Sequence, residues 1–486
     1  MTIKNNLKNI SIILTIFLIP FLDFLKNNIN EIDIILGKSF LFLIAILFSI
    51  LLILSIGINF FFKKKNFFKI LLSLVLTYWI LFKHNYLKII IKSLFNKFDT
   101  VLLEYNSEIS LLLLVILSIY VSIIVFKDSQ LFKKFIFIFF FLTFFTSIFQ
   151  ILSFDKKLNI VKKDNINFID YPDNLNKKKE NIYFFILDAM QPIEEFEKYY
   201  NIDMKYFLKN VENKNFTYFK NTSNIYDNTT HSLSAFFYLN KIYDDKNKLN
   251  EKTKVLYPSI LREKNKSDLL INLFNLGYEF KWIGNFFAYC PKFNLKYCLN
   301  KNQSSIIDSY LYINFFRQSP IIPIIMKLGS IFDFNFDKYI YYKVNNGMGR
   351  LTDFLKKNKF INKPTFYFIH HMSPHWPYIT NEVCSFKQYQ GNKNYNGYKS
   401  AYLCTIKKVG ETIDFLHEFD PNSTVVFQSD HNWTMSRNEK EKKKIFSLMK
   451  VDESCNFDKN VTMHNVNTLR LIFSCMTGNN PNYLIN

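Results

Sequence analysis

Several features that would place a chain in a common functional class are missing here. The formal net charge is +21, yet the basic residues are spread along the chain and form no arginine-rich patch with interleaved aromatic residues. Nucleic-acid binding is therefore not expected. No cysteine pair has CxxC spacing and no cysteine neighbours a histidine at ligand spacing, so no zinc finger is expected. Glycine is scarce while Lys, Asn, Ile and Phe are abundant, a bias typical of AT-rich genomes that accounts for part of the lysine excess.

Cysteine is absent from the first half of the chain. The six cysteines fall into three local pairs, Cys290 with Cys298, Cys384 with Cys404, and Cys455 with Cys475. An even number of cysteines in short-range pairs suits disulfide bonds, which persist only in an oxidising compartment. Six buried free thiols are the alternative.

Residues 1–153 are dominated by Ile, Leu and Phe. A membrane-spanning helix needs roughly 20 mostly apolar residues. Five segments meet or approach this requirement: Ile10–Leu25, Phe40–Phe60, Phe67–Phe82, Leu111–Phe126 and Phe135–Leu152. A signal peptide is an alternative for the first segment, but no small-residue cleavage site follows it. The composition predicts a transmembrane domain at 1–153, a polar linker at 154–180 and a catalytic domain at 181–486.

The distribution of lysine predicts how the spans are oriented. With the N-terminus inside, the cytoplasmic segments hold more lysines than the outer loops, and the cluster Lys63–Lys65 contributes most to this bias. Five spans then place the chain after Leu152 outside the cytoplasm, which agrees with the cysteine usage. The segment Lys83–Phe98 spaces its lysines along one stripe of a helix, which either lies on the outer membrane surface or connects two spans. We expect a multi-pass protein of the inner membrane with a periplasmic or otherwise extracytoplasmic catalytic domain.

From residue 181 onward, strand-like and helical segments alternate. Continuous apolar runs at Ile182–Leu187, Thr365–His370 and Thr424–Ser429 have the form of buried parallel strands, and Gly277–Gly284 is a fourth candidate. Helical stretches such as Tyr398–Phe419 lie between them. This alternation predicts an α/β sandwich around a mostly parallel sheet. Ligands bind beyond the carboxyl ends of such strands, and ionisable residues follow three of these runs.

Asp188, Asp430 and His431 stand directly after two of the apolar runs. Two carboxylates and an imidazole form a mixed oxygen and nitrogen set that suits one divalent metal, Zn²⁺ or Mn²⁺. Mg²⁺ and Ca²⁺ match the set less well because of the histidine. The alternative is that Asp188 caps a helix and that His431 is a turn residue.

Thr229 and Thr230 open a predicted helix with the sequence TTHSLSAFF. At a helix N-terminus beside a metal, the dipole and the cation together lower the pKa of a hydroxyl group. Thr229 is therefore predicted to be a nucleophile and a metal ligand, and Thr230 is its rival by one position. Helix capping by these hydroxyl side chains is the alternative.

Three histidines fall within the loop sequence HHMSPHWPY, which begins at His370. Imidazoles in such a loop can bind a phosphate oxygen, bind a second metal or protonate a leaving group. His370 and His375 are predicted to be catalytic and substrate-binding residues. Packing among aromatic side chains is the structural alternative.

These motifs, taken in order, match a known pattern. The chain resembles the sulfatase-like branch of the alkaline phosphatase superfamily. The resemblance lies in four motifs: a strand ending in Asp188, Thr229 at a helix start, the spaced pair His370 and His375, and a strand followed by the Asp-His pair at 430–431. The chain looks most like the membrane-anchored phosphoethanolamine transferases and lipoteichoic acid synthases. Those proteins combine N-terminal spans with an extracytoplasmic catalytic domain, so the resemblance covers the whole chain in layout.

The resemblance implies a role for each matching residue. It makes Asp188, Thr229, Asp430 and His431 the metal ligands, makes Thr229 the nucleophile and places the two spaced histidines near the substrate phosphate. Sulfatases carry a modified Cys or Ser within CxPxR, and this chain has neither that Pro nor that Arg. This departure disfavours sulfate ester hydrolysis and favours a threonine-bound phospho-intermediate. In addition, Asn432 replaces a glycine found in many members, and Lys443 stands about where the transferases have a further histidine; His464 is the next histidine in this chain.

We therefore expect an enzyme that transfers a phospho-head group, of the phosphoethanolamine or phosphoglycerol type, from a phospholipid to an envelope glycan or lipid. An extracytoplasmic phosphodiesterase or sulfatase, which would use water as the acceptor, is one alternative. A membrane-anchored binding protein with an inactive site is another.

Overall fold

The computed structural model describes residues 3–27, 38–61, 67–95, 106–127, 130–158, 180–220, 222–244, 249, 253, 255–261, 267–285, 315–316, 318–321, 324, 346–358, 363–387, 394–433, 439–452, 455 and 461–484. The chain forms two compact units. The first comprises Met1–Lys162 and Ser305–Phe334, and the second comprises Lys163–Ser304 and Asn335–Asn486. The predicted catalytic domain, 181–486, thus contains one segment, Ser305–Phe334, that groups with the N-terminal helices.

The first unit is helical. Its helices are α1 (Ile3–Asn27), α2 (Lys38–Phe61), α3 (Phe67–Leu81), α4 (His84–Phe95), α5 (Asn106–Phe126) and α6 (Gln130–Leu158). Among the described residues, 4 helices are long and apolar enough to cross a membrane, or 5 if α3 and α4 count as one bent span. The prediction of an N-terminal bundle of about five spans is confirmed at this level.

The third predicted span, Phe67–Phe82, is shorter than the other spans in the structure. Helix α3 ends at Leu81, and α4 follows at an angle of 43°. At this bend, Lys83 donates from Nζ to Oδ2 of Asp23 in α1 at 2.9 Å, and the neighbouring His84 is buried. Helix α4 carries Lys88 and Lys92 of the predicted lysine stripe, Lys97 lies outside the described residues, and the location of the stripe on the membrane surface stays a prediction.

Phe315 belongs to the first unit although it follows the first unit's helices by more than a hundred residues in sequence. Its side chain is fully buried. Its ring stacks on Phe21 at a centroid distance of 4.5 Å and lies 4.7 Å from the ring of Phe82. Close by, the backbone N–H of Asn85 donates to the carbonyl of Gln318 at 3.3 Å. The aromatic side chain therefore completes the apolar interior of the helical unit, a role that the sequence pattern did not predict.

The second unit is built on one six-stranded sheet. Its strands are β1 (Ile182–Leu187), β2 (Thr217–Tyr218), β3 (Glu279–Ile283), β4 (Thr365–His371), β5 (Thr424–Ser429) and β6 (Ser447–Lys450). The spatial order is β2-β6-β5-β1-β4-β3. Strands β3, β4, β1 and β5 pair in parallel, whereas β6 pairs antiparallel with both β5 and β2. The predicted mostly parallel sheet is confirmed, and the two short strands β2 and β6 were not predicted.

Helices cover both faces of this sheet. Because successive side chains of a strand point to opposite faces, Phe184 and Ile186 pack on one side while Phe185 and Leu187 pack on the other. The first side is covered by α9 (Thr229–Tyr238), α10 (Asp268–Asn275) and α14 (Asn465–Thr477). The second side is covered by α7 (Ile193–Tyr200), α8 (Lys205–Glu212), α11 (Gly347–Lys357) and α12 (Tyr395–Phe419). A short 3-10 turn (Ser259–Leu261) and the short helix α13 (Glu439–Lys442) complete the elements. This is the predicted α/β sandwich.

The parallel pairing places the ends of three strands side by side. Leu187, the last residue of β1, is in register with His371 of β4 and with Ser429 of β5. The residues that follow these positions must therefore emerge at one edge of the sheet, as the sequence predicted.

Two of the three predicted disulfide bonds are present. Cys384 is bonded to Cys404, and Cys455 is bonded to Cys475. Cys290 and Cys298 lie outside the described residues. The first of these bonds ties the loop after β4 to helix α12.

Candidate functional site

Asp188 begins a sharp turn at the end of β1. Its own N–H donates to the carbonyl of His371 at 3.0 Å, which continues the sheet pairing by one residue. The next residue, Ala189, has a φ of 58°, in the left-handed region that costs a non-glycine residue roughly 1–2 kcal/mol. In this conformation the N–H of Ala189 donates to Oδ1 of Asp430 at 3.2 Å. The strained turn thus joins the ends of β1 and β5 and fixes both carboxylates.

Asp430 and His431 follow β5 and are both buried. Oδ1 of Asp430 also accepts from the N–H of His431 at 2.9 Å. Nε2 of His431 lies 3.5 Å from Oδ1 of Asp188 and 3.7 Å from Oδ2 of Asp430. On the other side of the ring, Nδ1 lies 2.6 Å from the carbonyl of Asn432, which can only accept, so Nδ1 carries a proton. In the neutral ring, the lone pair of Nε2 therefore faces the two carboxylates.

Thr229 is the first residue of α9, and it does not cap this helix. The cap is Asn228, whose side chain accepts from the N–H of His231 at 2.9 Å. The hydroxyl of Thr229 is instead 3.2 Å from Nε2 of His431. Among the described residues, no corresponding contact joins the hydroxyl of Thr230 to this cluster. The structure thus places the hydroxyl of Thr229, rather than that of Thr230, beside His431.

The two predicted catalytic histidines occupy different positions. His370 is fully buried, with Nε2 3.1 Å from Oδ2 of Asp188 and Nδ1 3.0 Å from the hydroxyl of Tyr257. His375 is partly exposed, and the centroid of its ring lies 6.4 Å from that of His431. His370 therefore belongs to the carboxylate cluster itself, whereas His375 stands beside it and retains access to solvent.

The cluster has the donor atoms that a divalent cation requires. One ligand atom from each of Asp188, His370 and Asp430 lies within 4.8 Å of the others. Oδ1 of Asp188 and Oδ2 of Asp430 are buried and have no hydrogen-bond partner among the described residues. A buried carboxylate oxygen without a partner is costly, and a bound cation would remove that cost. Carboxylate oxygens together with imidazole nitrogens suit Zn²⁺ or Mn²⁺.

The electrostatics of the cluster reflect its crowded charges. Burial disfavours the charged form of Asp188, but His375, His370 and His431 outweigh burial and hold the pKa of this carboxyl group well below its usual range. Burial and the neighbouring charge of Asp188 raise the pKa of Asp430. Burial also disfavours the charged form of His431, yet Asp430 and Asp188 raise its pKa to about 9. In the metal-free protein a proton on His431 thus offsets part of the carboxylate charge.

Asn432 anchors the turn that carries the Asp-His pair. Its side-chain amide donates to Oε2 of Glu195 at 2.8 Å and to the carbonyl of Glu441 at 2.7 Å. Glu195 in turn lies 3.3 Å from Nζ of Lys444. Asn432 thus holds this turn against α7 and α13, which the sequence alone did not reveal.

His464 and His371 lie outside the carboxylate cluster. His464 caps α14, because its ring accepts from the N–H of Asn467 at 3.2 Å. His371 follows His370 on β4 and points to the opposite face of the sheet, under α12. Burial, Lys408 and His370 lower the pKa of His371 to about 3, so its ring is neutral. Tyr257, which orients His370, lies 113 positions before it in the sequence and could not be predicted from any motif.

Comparison with known proteins gives matches only among solved structures. No protein-family model and no curated protein matches the chain. The integral membrane protein lipooligosaccharide phosphoethanolamine transferase A from Neisseria meningitidis aligns over 96% of this chain and 95% of its own, with 12% identity and a TM-score of 0.42. The C-terminal periplasmic domain of EcEptC from Escherichia coli aligns over 64% and 85%, with 16% identity and a TM-score of 0.38. The lipoteichoic acid synthase LtaP from Listeria monocytogenes aligns over 64% and 77%, with 14% identity and a TM-score of 0.33.

Proposed function

We propose that this protein is a metal-dependent transferase that moves a phospho-head group from a phospholipid to an envelope glycan or lipid through an intermediate bound to Thr229. The observation that supports this proposal is the position of the Thr229 hydroxyl, 3.2 Å from Nε2 of His431 and at the edge of a buried carboxylate and imidazole cluster. Because this hydroxyl does not cap the helix, it is placed to attack a phosphorus atom bound at the cluster.

One divalent cation is proposed to be held by Asp188, Asp430, His431 and the hydroxyl of Thr229. His370 is close enough to both carboxylates to be a further ligand. A bound Zn²⁺ or Mn²⁺ would supply positive charge that favours the alkoxide of Thr229 and offsets the charge of the phosphoryl oxygens. Helix α9 adds to this effect, since Thr229 lies at its positive N-terminal end.

In the first half of the reaction, the bond between Oγ1 of Thr229 and phosphorus forms while the bond between phosphorus and the diacylglycerol oxygen breaks. The hydroxyl proton leaves to solvent water, because the one lone pair of the His431 ring, on Nε2, faces the proposed cation site. The departing oxygen needs a proton, and His375 is the better donor because His370 is enclosed by Asp188 and Tyr257. An acceptor hydroxyl then displaces Thr229, with His375 receiving the proton of that hydroxyl.

The membrane-spanning helices would hold the catalytic unit at the membrane, where both proposed substrates are found. We propose that the protein is a multi-pass protein of the inner membrane and that its catalytic unit faces the periplasm, where the two described disulfide bonds are stable. Lipid donors and envelope acceptors are both available on that side.

Intact mass spectrometry of the full chain tests the proposal. The purified protein, loaded with Zn²⁺ or Mn²⁺, is incubated with phospholipid vesicles without an acceptor. We expect added mass equal to one phospho-head group, located by peptide mapping on Thr229. Head-group release without any such adduct, at the same rate in the Thr229→Ala variant, would overturn the proposal. Free head group that is formed through the adduct, with no modified acceptor in cells, would instead indicate a phosphodiesterase.

A further inference from the structure

A small cavity lies beside the metal cluster, on the face of the sheet that α12 covers. It has a volume of about 40 Å³, which is room for about three waters. Its polar lining comes from Asn346, His371, Ser373, His375, Thr380 and Lys408. None of the described residues that line it is acidic.

His371 is the reason to assign a ligand to this cavity. Only 2% of the residue is exposed, and neither ring nitrogen has a hydrogen-bond partner among the described residues. A buried imidazole with two unsatisfied nitrogens is rare in a folded protein, because each nitrogen has lost its contacts with water. Its position on the wall of a polar cavity indicates that a bound group supplies the missing partners.

The cavity is next to the proposed reaction centre. The carbonyl of His371 accepts from the N–H of Asp188, and the preceding residue, His370, belongs to the cluster. His375 lines the cavity and also lies beside His431, with 6.4 Å between their ring centroids. His375 therefore connects the cavity with the cluster.

The walls of the cavity are held in place. Cys404, which lines it, is bonded to Cys384, so the loop after β4 is tied to α12. In addition, the hydroxyl of Thr405 in α12 donates to that of Ser373 at 2.8 Å. The cavity thus has a defined shape, as selective binding requires.

We propose that this cavity receives the hydroxyl-bearing end of a glycerol-type head group, so that the donor lipid is a phosphoglycerol lipid rather than a phosphoethanolamine lipid. This inference rests on the proposed function. Each hydroxyl both donates and accepts, so the two hydroxyls of a glycerol end match the one donor and the one acceptor nitrogen of the neutral His371 ring. An ammonium group only donates, and here it would meet the ammonium of Lys408, whereas none of the described residues that line the cavity is acidic.

Competition between two donors in one membrane tests this proposal. Vesicles contain equal amounts of phosphatidylglycerol and phosphatidylethanolamine, with the acyl label in one lipid or the other, so that binding of the basic protein to the surface is the same in both assays. The full chain, loaded with metal, is added and labelled diacylglycerol is measured. We expect release from phosphatidylglycerol to be at least about tenfold faster.

Two substitutions examine the cavity itself. Lys408→Glu places a carboxylate at the cavity wall and is expected to shift the preference toward phosphatidylethanolamine by at least about tenfold. Lys407→Glu is the matched control, because Lys407 does not line the cavity and is half exposed. His371→Leu removes both ring nitrogens and is expected to slow release from phosphatidylglycerol, whereas His371→Gln, which keeps a donor and an acceptor, restores part of it.

The outcomes separate this inference from the proposed function. If both lipids are consumed at equal rates that depend on Thr229, or if phosphatidylethanolamine is preferred, the transferase stands and the assignment of the cavity is overturned. An unchanged preference in both Lys408→Glu and His371→Leu overturns it as well, because the cavity then holds only water. If neither lipid releases diacylglycerol faster than with Thr229→Ala, the proposed function fails first.

Discussion

The hydroxyl of Thr229 lies 3.2 Å from Nε2 of His431 although the two residues are 202 positions apart in the chain. One residue starts a helix and the other follows a strand, and only the folded sheet brings them together. Asn228 satisfies the helix end, so the Thr229 hydroxyl remains available for chemistry. The relationship leads directly to the first prediction.

Replacing Thr229 by alanine should lower head-group transfer by at least about 1000-fold, because the nucleophile is removed while the carboxylates and imidazoles of the cluster remain. Thr229→Ser should retain part of the activity, since it keeps a hydroxyl at the same place. Thr230→Ala is the matched control and should stay close to wild type. The measurement is diacylglycerol release from labelled vesicles. A larger loss in Thr230→Ala than in Thr229→Ala would reverse the assignment of the nucleophile.

Replacing Tyr257 by phenylalanine should weaken metal binding by about 10–100-fold, because the Tyr257 hydroxyl holds the ring of His370 in orientation. Calorimetric titration of the metal-free protein with Zn²⁺ or Mn²⁺ measures this effect. Tyr278→Phe removes a comparable hydroxyl that donates to the carbonyl of Glu180, and it should leave the affinity unchanged. Equal affinity in both variants would show that His370 needs no such support.

Metal affinity should rise with pH up to about 9, because the cation competes with the proton on His431. The direction of the pH dependence follows from the pKa of His431, which is higher in the folded state than in the unfolded state. In the metal-free protein the stabilisation from this proton is complete below about pH 6.5 and is lost as the pH rises through about 9. The pKa of Asp188 is lowered, so its contribution is lost only in acid and does not enter this window.

The measurement is the melting temperature of the full chain in detergent between about pH 6 and about pH 9.5, with a chelator and with saturating metal. The metal-free protein should melt at lower temperature as the pH rises, and the difference between the two conditions should grow. His431→Gln should flatten both trends. A metal-free protein that becomes more stable toward pH 9 would contradict the assignment.

Removing the bond between Cys384 and Cys404 by a double Cys→Ser substitution should destabilise the second unit by about 3 kcal/mol, as expected for a loop closed over a sequence separation of 20. Because this bond also anchors the cavity wall, the preference between lipid donors should decrease. The bond between Cys455 and Cys475 closes a loop of the same sequence separation, so the corresponding double substitution there should destabilise the unit without changing the preference between lipid donors. Urea unfolding and the competition assay give the two readouts.

Much of the fold was predictable from the sequence, and the reasons are local. Strands β1, β4 and β5 are continuous apolar runs that end in ionisable residues, so the sequence shows both their extent and their alignment. Strand β6, with the sequence SLMK, has no such pattern and forms because β5 and β2 flank it. Strand β2 is too short to be predicted from periodicity. These strands depend on neighbours that only the tertiary structure supplies.

The positions of the candidate site residues in the fold could be predicted to the same extent, and their roles stay predictions. The ends of the strands predicted Asp188 and Asp430, and the helix start predicted Thr229. His370 lies inside the cluster because of the side-chain alternation at the end of β4 and its contact with Tyr257, whereas His375 lies beside the cluster. Neither the support from Asn432 nor the unsatisfied ring of His371 has any signal in the sequence, because both arise from elements that are distant along the chain.

The burial of Phe315 among Phe21, Phe24 and Phe82 also sets an order for biosynthesis. When all the N-terminal helices have been translated, Phe315, whose ring fills their interior, has not yet been made. The helical unit is therefore incomplete at that stage. That ring arrives after β3 but before β4 and β5 are translated. The residues that fill the interior of the helical unit are therefore all translated before Asp430 and His431, the last of the proposed metal ligands.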